Sequence, residues 1–323
     1  ALLYMLKAKS KNHGHEGLVS IVMNCYNGET YLREAIESII AQTYPNWELI
    51  FWDNRSNDSS KVIFDSYCDS RFKYFLAPEH TDLGGGRSAA FHQLKGDYIA
   101  VLDVDDLWFP DKLEKQLTLF NDPEVGLVIS DTIFFNNFNE RALYNGEYPP
   151  EGHVFRDLLT NYFVSLETLM LRKSIVDRLD YGFDADFSFI ADFDLVLRTA
   201  KISKLAIYKG VLAKWRVHEN SDSWKSSVTF STEKELWIEK QIKQDSNFLI
   251  DYHEEISILH SKNFLLMAIN ALSNNERINA IRFISKTNFK NWYDYAVILL
   301  CFLPLSNKMI QYLQKRRINN LPV

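Results

Sequence analysis

Three acidic side chains directly follow an apolar stretch in the first third of the chain. Residues 98–102 are apolar, and Asp103, Val104, Asp105 and Asp106 come next. Carboxylates at the end of a buried strand are costly unless a cation pairs with them. Two carboxylates at positions i and i+2 can converge on one divalent ion and leave ligand positions open for phosphate oxygens. The spacing therefore predicts a metal site that also binds an anionic substrate.

A glycine run could contribute to binding the same ligand. Gly84, Gly85 and Gly86 stand at the start of a predicted helix, where backbone N–H groups can bind phosphate. A run of glycines is also typical of a flexible turn. The sequence leaves both interpretations open.

The elements around the acidic motif predict an α/β fold. Residues 18–24 and 47–52 are continuous apolar runs, as in parallel strands that are buried on both faces. Leu32 and Ile36 lie on one face of the helix predicted between them. Because polar residues follow each strand, this order predicts a doubly wound sheet with a ligand crevice at its carboxyl edge. Further strands are predicted at 72–76, 126–130, 168–172 and 206–214, and further helices at 59–68, 110–120, 190–200 and over most of the chain after 231.

Composition and charge exclude several classes of protein. Of the 323 residues, 46% are hydrophobic and 24% are charged, which is typical of a globular protein. The net charge of −6 argues against a nucleic-acid partner, since such a partner needs a broad basic surface. Cys25, Cys68 and Cys301 form no C-x-x-C pair. They indicate reduced thiols in a cytoplasmic protein without a disulfide framework or a zinc site.

The order of the motifs resembles that of the family-2 glycosyltransferases of the GT-A fold. The similarity covers about residues 18–223, and it is carried by the segments 19–27, 48–58, 87–88, 95–96, 103–106, 191–198 and 216–218. The resemblance implies a Rossmann-like, mixed, mostly parallel sheet flanked by helices, with a helical C-terminal extension. It also implies an inverting transferase that uses a nucleotide-sugar donor.

The resemblance implies a donor site that binds a nucleotide-sugar, with a UDP-sugar as the expected donor. The expected ligands of a Mn²⁺ or Mg²⁺ ion are Asp103, Asp105 and His218, and an imidazole ligand favours Mn²⁺. The ion would act as a Lewis acid on the diphosphate leaving group. The residues expected to bind the nucleotide-sugar are Asn24, Tyr26, Asn27, Asp53, Arg87, Asp103, Val104 and Arg216. Considered alone, His218 is more typical of a structural histidine, and its position after Trp215 and before Asn220 favours the ligand interpretation. Asp53 could be a turn residue.

An inverting transfer needs one general base that takes the proton from the acceptor hydroxyl. The resemblance gives this role to Asp192, with Asp194 as the alternative. Asp192 could instead have a structural role, as an acid at a helix start that interacts with the helix dipole. The family usually has Glu before this Asp, whereas this chain has Ala191. Asn54 also departs from the family pattern, and Asp106 is left without an assigned role.

The expected acceptor is a glycan or lipid-linked glycan in the assembly of surface polysaccharides or glycolipids. A non-catalytic nucleotide-sugar or carbohydrate-binding protein on the same scaffold is the alternative, although the intact Asp103, Asp105 and Asp192 argue against it. A nucleotidyltransferase would show a glycine-rich signature with Arg and Lys after the first strand, and this chain has none there. A processive synthase would carry transmembrane helices and a Q-x-x-R-W motif, and neither is found.

The resemblance and the composition together predict the domain organisation. Residues 1–17 are expected to be a leader or linker, and residues 18–228 the catalytic domain, divided into a nucleotide-binding half, 18–130, and an acceptor-binding half, 131–228. A helical extension follows at 229–323. Its apolar run, 295–305, is too short to span a bilayer. With the basic residues that follow, this run could contact the cytoplasmic face of a membrane peripherally, or it could form a helix that docks on the core.

Overall fold

The computed structural model describes residues 17–218, 227–287, 297, 299, 301, 303 and 307–312. The predicted leader lies outside the described residues, apart from Gly17. Most of the apolar run at 295–305 and the basic residues at 315–317 also lie outside them. The predicted membrane contact of that region therefore stays a prediction.

Nine strands in the described part of the chain form one mixed sheet. Their bounds are β1 Val19–Cys25, β2 Trp47–Asp53, β3 Phe72–Leu76, β4 Tyr98–Val101, β5 Leu107–Trp108, β6 Val125–Phe135, β7 Glu140–Ala142, β8 Met170–Arg172 and β9 Lys204–Arg216. The order is β3-β2-β1-β4-β8-β6-β9-β5, and β7 pairs with β6. Six of these strands run in one direction, whereas β5, β7 and β8 run in the other. The predicted mixed, mostly parallel sheet is confirmed.

Helices cover both faces of this sheet. Their bounds are α1 Leu32–Ile40, α2 Ser60–Asp65, α3 Leu83–Phe91, α4 Lys112–Leu117, α5 Phe155–Thr160, α6 Lys173–Val176, α7 Ala191–Ile202, α8 Ser227–Gln244, α9 Phe248–Asp251, α10 His253–Ser273 and α11 Arg277–Ile284. Short 3₁₀ helices occupy Thr118–Asn121 and Leu166–Thr168.

Strand β1 is buried at every position because both faces of the sheet are covered. Ile21 belongs to the core that contains Ile36 of α1, whereas Val22 belongs to the core that contains Phe193 of α7. Burial on two sides explains the continuous apolar run in the sequence. Because β1 pairs in parallel with both β2 and β4, the carboxyl ends of these three strands lie side by side.

The first helices of the C-terminal extension share the core of the catalytic domain. Trp237 of α8 and Phe248 of α9 belong to the same hydrophobic core as Phe193 of α7. Further along, α10 and α11 build a smaller core around Ala268 and Ala280. Helix α8 therefore packs into the same core as α7.

Some predicted elements differ from the structure in their extent. The strand predicted at 168–172 is shorter, because a 3₁₀ helix occupies its first residue and the two before it. The helix predicted to start at the glycine run begins at Leu83 and ends at Phe91. Lys95 and Gly96 lie beyond it and donate their N–H groups to Oγ of Ser20. Strand β9 is longer than predicted because it pairs with β6 along most of its length.

Candidate active site

Arg87 and Asp103 form an ion pair at the carboxyl end of β4. Arg87 extends from α3 and is only 3% exposed, and its Nη2 donates to both carboxylate oxygens of Asp103 at 2.9 Å. The buried Nε of Arg87 has no hydrogen-bond partner among the described residues. Burial alone would lower the pKa of Arg87, but the carboxylates of Asp103, Asp192 and Asp105 raise it above its ordinary value. The guanidinium therefore stays charged in the field of these three acids.

The glycine run brings α3 into close contact with its neighbours. A Cβ added at Gly86 would lie 2.8 Å from Nδ2 of Asn24, and one added at Gly84 would lie 1.8 Å from the carbonyl oxygen of Phe187. The N–H of Gly85 donates to the side chain that caps the helix, at 2.8 Å. The run is thus the ordered first turn of α3. Asn24 also lies here, and its buried Oδ1 has no partner among the described residues.

Asp105 and His218 lie together in space although they are far apart in the sequence. Nε2 of His218 lies 2.9 Å from Oδ2 of Asp105, although 113 residues separate them in sequence. The ring of His218 also lies near that of Tyr31, with 5.2 Å between the ring centroids. The prediction that His218 joins the acidic motif in space agrees with this placement.

Arg216 and Asp106 hold the end of β9 against the acidic motif. The backbone N–H of Arg216 donates to Oδ1 of Asp106 at 2.9 Å, and its Nε donates to the carbonyl oxygen of Asp105 at 2.9 Å. Nη2 of Arg216 donates to Glu34 at 2.8 Å. Burial, followed by the nearby Asp105 and Glu167, raises the pKa of Asp106 well above its ordinary value. Asp106, which had no role in the sequence analysis, is therefore a buried anchor for the strand that leads to His218.

The donor atoms at this site suit a hard divalent ion, but they are few. Among the described residues, no group of three or more His, Cys, Asp or Glu side chains is arranged to hold a metal. Both oxygens of Asp103 accept from Arg87, so Asp105 and His218, whose Oδ2 and Nε2 are 2.9 Å apart, are the pair that could hold an ion. Two ligands at bond lengths of about 2.1 Å and a right angle are separated by about 3 Å. The pair therefore fits two neighbouring positions of one ion, and substrate oxygens or water must complete the shell.

Asp53 is fixed at the end of β2 by two hydrogen bonds. Its Oδ1 accepts the N–H of Ser56 at 2.7 Å, and its Oδ2 accepts the hydroxyl of Tyr74 at 2.6 Å. The side chain is 2% exposed. Burial, followed by the charge of Asp53, raises the pKa of Tyr74. Tyr74 was not singled out in the sequence, where it is one of several aromatic residues in a short strand.

Three other residues predicted to bind the nucleotide lie in or near the turn after β1. Tyr26 is 52% exposed and packs on His80 with 4.2 Å between the ring centroids. Asn27 has a φ of 54°, and its Oδ1 accepts a backbone N–H from the loop after β2 at 2.9 Å. Val104 packs against this turn, because a Cβ added at Gly28 would lie 3.0 Å from its Cγ2. Tyr26 is therefore an aromatic side chain that remains about half exposed beside this turn.

The two acids at the start of α7 have different surroundings. Asp194 is fully buried, accepts from Nε of Arg198 at 2.9 Å and accepts from Nε1 of Trp237 at 2.9 Å. Asp192 is partly exposed and accepts the hydroxyl of Tyr162 at 3.3 Å. Burial raises the pKa of Asp192, and the charge of Arg87 opposes this rise. Asp194 is thus committed to internal contacts, while Asp192 lies on the side of Arg87.

Comparison with known proteins identifies the family. The model described as "Glycosyl transferase family 2" matches residues 20–180. An uncharacterized glycosyltransferase of Methanocaldococcus jannaschii, MJ1057, is 32% identical over 65% of this chain and 74% of its own length. The Escherichia coli UDP-Glc:alpha-D-GlcNAc-diphosphoundecaprenol beta-1,3-glucosyltransferase WfgD is 29% identical over 68% of this chain and 84% of its own length. The chain belongs to glycosyl transferase family 2.

Solved structures confirm the predicted GT-A fold. Residues 1–349 of S. aureus TarS, in complex with UDP-GlcNAc, align with a TM-score of 0.64 at 16% identity, over 94% of this chain and 88% of that one. The mannosyltransferase PcManGT from Pyrobaculum calidifontis, in complex with GDP-Man and Mn²⁺, aligns with a TM-score of 0.60 at 17% identity, over 98% and 94% of the two chains. None of the described helices is long and apolar enough to cross a membrane.

Proposed function

We propose that the protein is an inverting, metal-dependent glycosyltransferase that moves a sugar from a UDP-sugar to an acceptor hydroxyl. The proposal rests on two polar pairs that lie at the carboxyl edge of the sheet: Arg87 with Asp103, and Asp105 with His218. Asp192 lies within the field of the same guanidinium. This edge is where ligands bind in open α/β sheets.

The chain supplies charge and position on the donor side. Asp105 and His218 would hold a Mn²⁺ or Mg²⁺ ion, which supplies Lewis-acid stabilisation of the diphosphate when it is bound. PcManGT, which has the same fold, was solved with Mn²⁺. Arg87 adds a permanent positive charge and has a free donor at Nε. Asp53 is held rigidly, so its remaining lone pairs can accept from the nucleotide base.

Asp192 would take the proton from the acceptor hydroxyl. Its pKa is raised by burial, and a base is most effective when its pKa lies closer to the working pH. Asp194 is a poorer candidate, because Arg198 and Trp237 already bind both of its oxygens. Tyr162 can orient the carboxylate of Asp192 through its hydroxyl.

We further propose a lipid-linked glycan acceptor, in the assembly of a surface polysaccharide or glycolipid. The E. coli relative is described as acting on a diphosphoundecaprenol-linked sugar. Such an acceptor lies at a membrane surface, and α11 exposes Ile278 and Ile281 next to the exposed Arg282. We expect the full chain to sediment with vesicles of anionic phospholipid at low salt and to be released as ionic strength rises.

Calorimetry and a transfer assay test the proposal. UDP should bind in the presence of Mn²⁺, and Asp105→Ala should abolish this binding; unchanged binding would refute the metal assignment. Asp192→Asn should keep donor binding and lose transfer by about 100-fold or more. If Asp192→Asn stays active while a folded Asp194→Asn variant is inactive, the base is misassigned. A hydrolysis screen of UDP-, GDP- and dTDP-sugars identifies the donor.

A further inference from the structure

One face of α8 binds the segment that carries the candidate base. This base segment comprises residues 184–194. Glu233, Trp237 and Lys240 have the spacing of neighbours on one helix face, and each of them contacts it. Trp237 donates to Asp194 at 2.9 Å, and Nζ of Lys240 contacts Asp184 at 2.6 Å and Asp186 at 2.8 Å.

Glu233 makes the most specific of these contacts. Its Oε1 accepts the backbone N–H of Ser188 at 3.0 Å, and its Oε2 accepts those of Phe189 at 2.8 Å and Ile190 at 3.0 Å. Ile190 is the N-cap residue of α7 and has no side-chain cap of its own. A carboxylate at this place satisfies backbone donors that would otherwise be unpaired and also interacts favourably with the helix dipole. Helix α8 therefore binds the N-cap residue of α7 and the two residues before it.

The opposite side of the base segment is held by α3. The carbonyl oxygen of Phe187 lies so close to Gly84 that any Cβ there would overlap with it. Gly84 is three residues before Arg87, which pairs with Asp103. The residues just before Asp192 are thus fixed between the helix that carries the donor-side cation and α8.

We propose that Glu233 is a positioning residue for sugar transfer, which sets the place of Asp192 by holding residues 188–190. The inference rests on the proposed function, because it needs Asp192 to act as the base. Asp192 is two residues beyond the last N–H that Glu233 accepts, so a shift of the segment moves the carboxylate directly. Misplacing a reacting group by about 1 Å can lower a rate about 100-fold. Donor binding does not depend on these contacts.

The test compares Glu233→Gln with Glu239→Gln. Both changes remove one negative charge from α8, but Glu239 is exposed. Glutamine keeps the size of Glu233 but has only one accepting oxygen, so at least one of the three contacts is lost. The contact with Ser188 is lost if the amide oxygen takes the Oε2 position, and those with Phe189 and Ile190 are lost if it takes the Oε1 position. For Glu233→Gln we expect the transfer kcat to fall at least tenfold, while the UDP-sugar KM and the UDP Kd stay within about twofold. Amide exchange at residues 188–193 should become faster. Glu239→Gln should resemble the unmodified protein.

Each contrary result is informative. Unchanged exchange at 188–193 would overturn the claim that Glu233 holds the segment. A loss of donor affinity that parallels the loss of kcat, or an equal loss in Glu239→Gln, would show a general structural role and overturn the inference. If Asp192→Asn retains transfer, the proposed base fails and the catalytic part of this inference fails with it. Exchange in Glu233→Gln is measured without substrate, so it separates this failure from a failure of the contact itself.

Discussion

Lys112 allows the electrostatics of the core to be tested quantitatively. This lysine of α4 is 0% exposed. Its Nζ donates to Oε1 of Gln116 at 2.7 Å and lies 4.3 Å from the ring centroid of Trp108. Burial lowers the pKa of Lys112 from 10.5 to about 7, although Glu167 opposes the change. Lys112 is therefore a buried amine without an ion-pair partner among the described residues, and it is charged in the folded protein only below about pH 7.

The sign of the effect follows from proton linkage. Between about pH 7 and pH 10.5, the unfolded chain binds a proton at this lysine that the folded chain does not. The free energy of unfolding must then rise with pH through this window and stay flat, for this group, below about pH 7. The full cost below pH 7 is on the order of 5 kcal/mol. From pH 7 to pH 9, Lys112 should contribute a rise of about 2 kcal/mol.

Lys112→Met tests this reasoning, since methionine replaces the lysine stem and removes the ammonium. Urea unfolding at pH 7 and pH 9 should show that the unmodified protein gains about 2 kcal/mol more between the two conditions than the variant does. Loss of the hydrogen bond to Gln116 lowers the variant's free energy of unfolding by the same amount at pH 7 and at pH 9. This loss therefore cancels when the two pH values are compared. Lys115→Met, at an exposed site on the same helix, is the control. Equal pH dependence in the unmodified protein and Lys112→Met would refute the assigned burial cost.

Three further predictions concern the candidate site. Asp194→Asn should destabilise the protein by about 3 kcal/mol in urea unfolding, because it leaves Arg198 without its acid, while the Kd for UDP with Mn²⁺ should not change. Gly84→Ala should displace Phe187 and lower the transfer kcat by about tenfold or more; an unchanged kcat would contradict the close packing. Mn²⁺ alone should bind weakly in calorimetry and tightly when UDP is present, and His218→Ala should weaken both binding events; tight binding of Mn²⁺ alone would show that further protein ligands exist.

Much of the donor side could be predicted because its information is local. The continuous apolar runs of β1, β2 and β4 require a sheet buried on both faces, and the polar residues that end these runs must meet at one edge. Asp53 and Asp103 lie at that edge for this reason, whereas Arg87 reaches it from α3. His218 could be placed only through a family resemblance, because nothing in its local sequence distinguishes a ligand from a structural histidine.

The acceptor side could not be predicted in the same detail because its contacts are remote in sequence. The hydrogen bonds of Glu233 to the base segment span 43 to 45 residues, and their donors are backbone N–H groups. Almost any residue type can supply a backbone N–H, so the sequence of the segment does not reveal these bonds. Asp106 likewise binds the backbone of Arg216, 110 residues away. A contact between a side chain and a distant backbone places no requirement on the partner side chain, so neither role was visible before the fold was known.

If the proposed function is right, the charges around Asp103 and Asp105 link metal binding to nucleotide binding. Asp103 and Asp105 place two carboxylates beside one buried guanidinium, that of Arg87, so the site is negative before any ligand arrives. A diphosphate would add further negative charge in a partly desolvated place, which is unfavourable without a cation. A divalent ion held by Asp105 and His218 would still need oxygen ligands, which the diphosphate could supply. Each ligand thus supplies what the other lacks, and reciprocal coupling of the two affinities is the thermodynamic consequence.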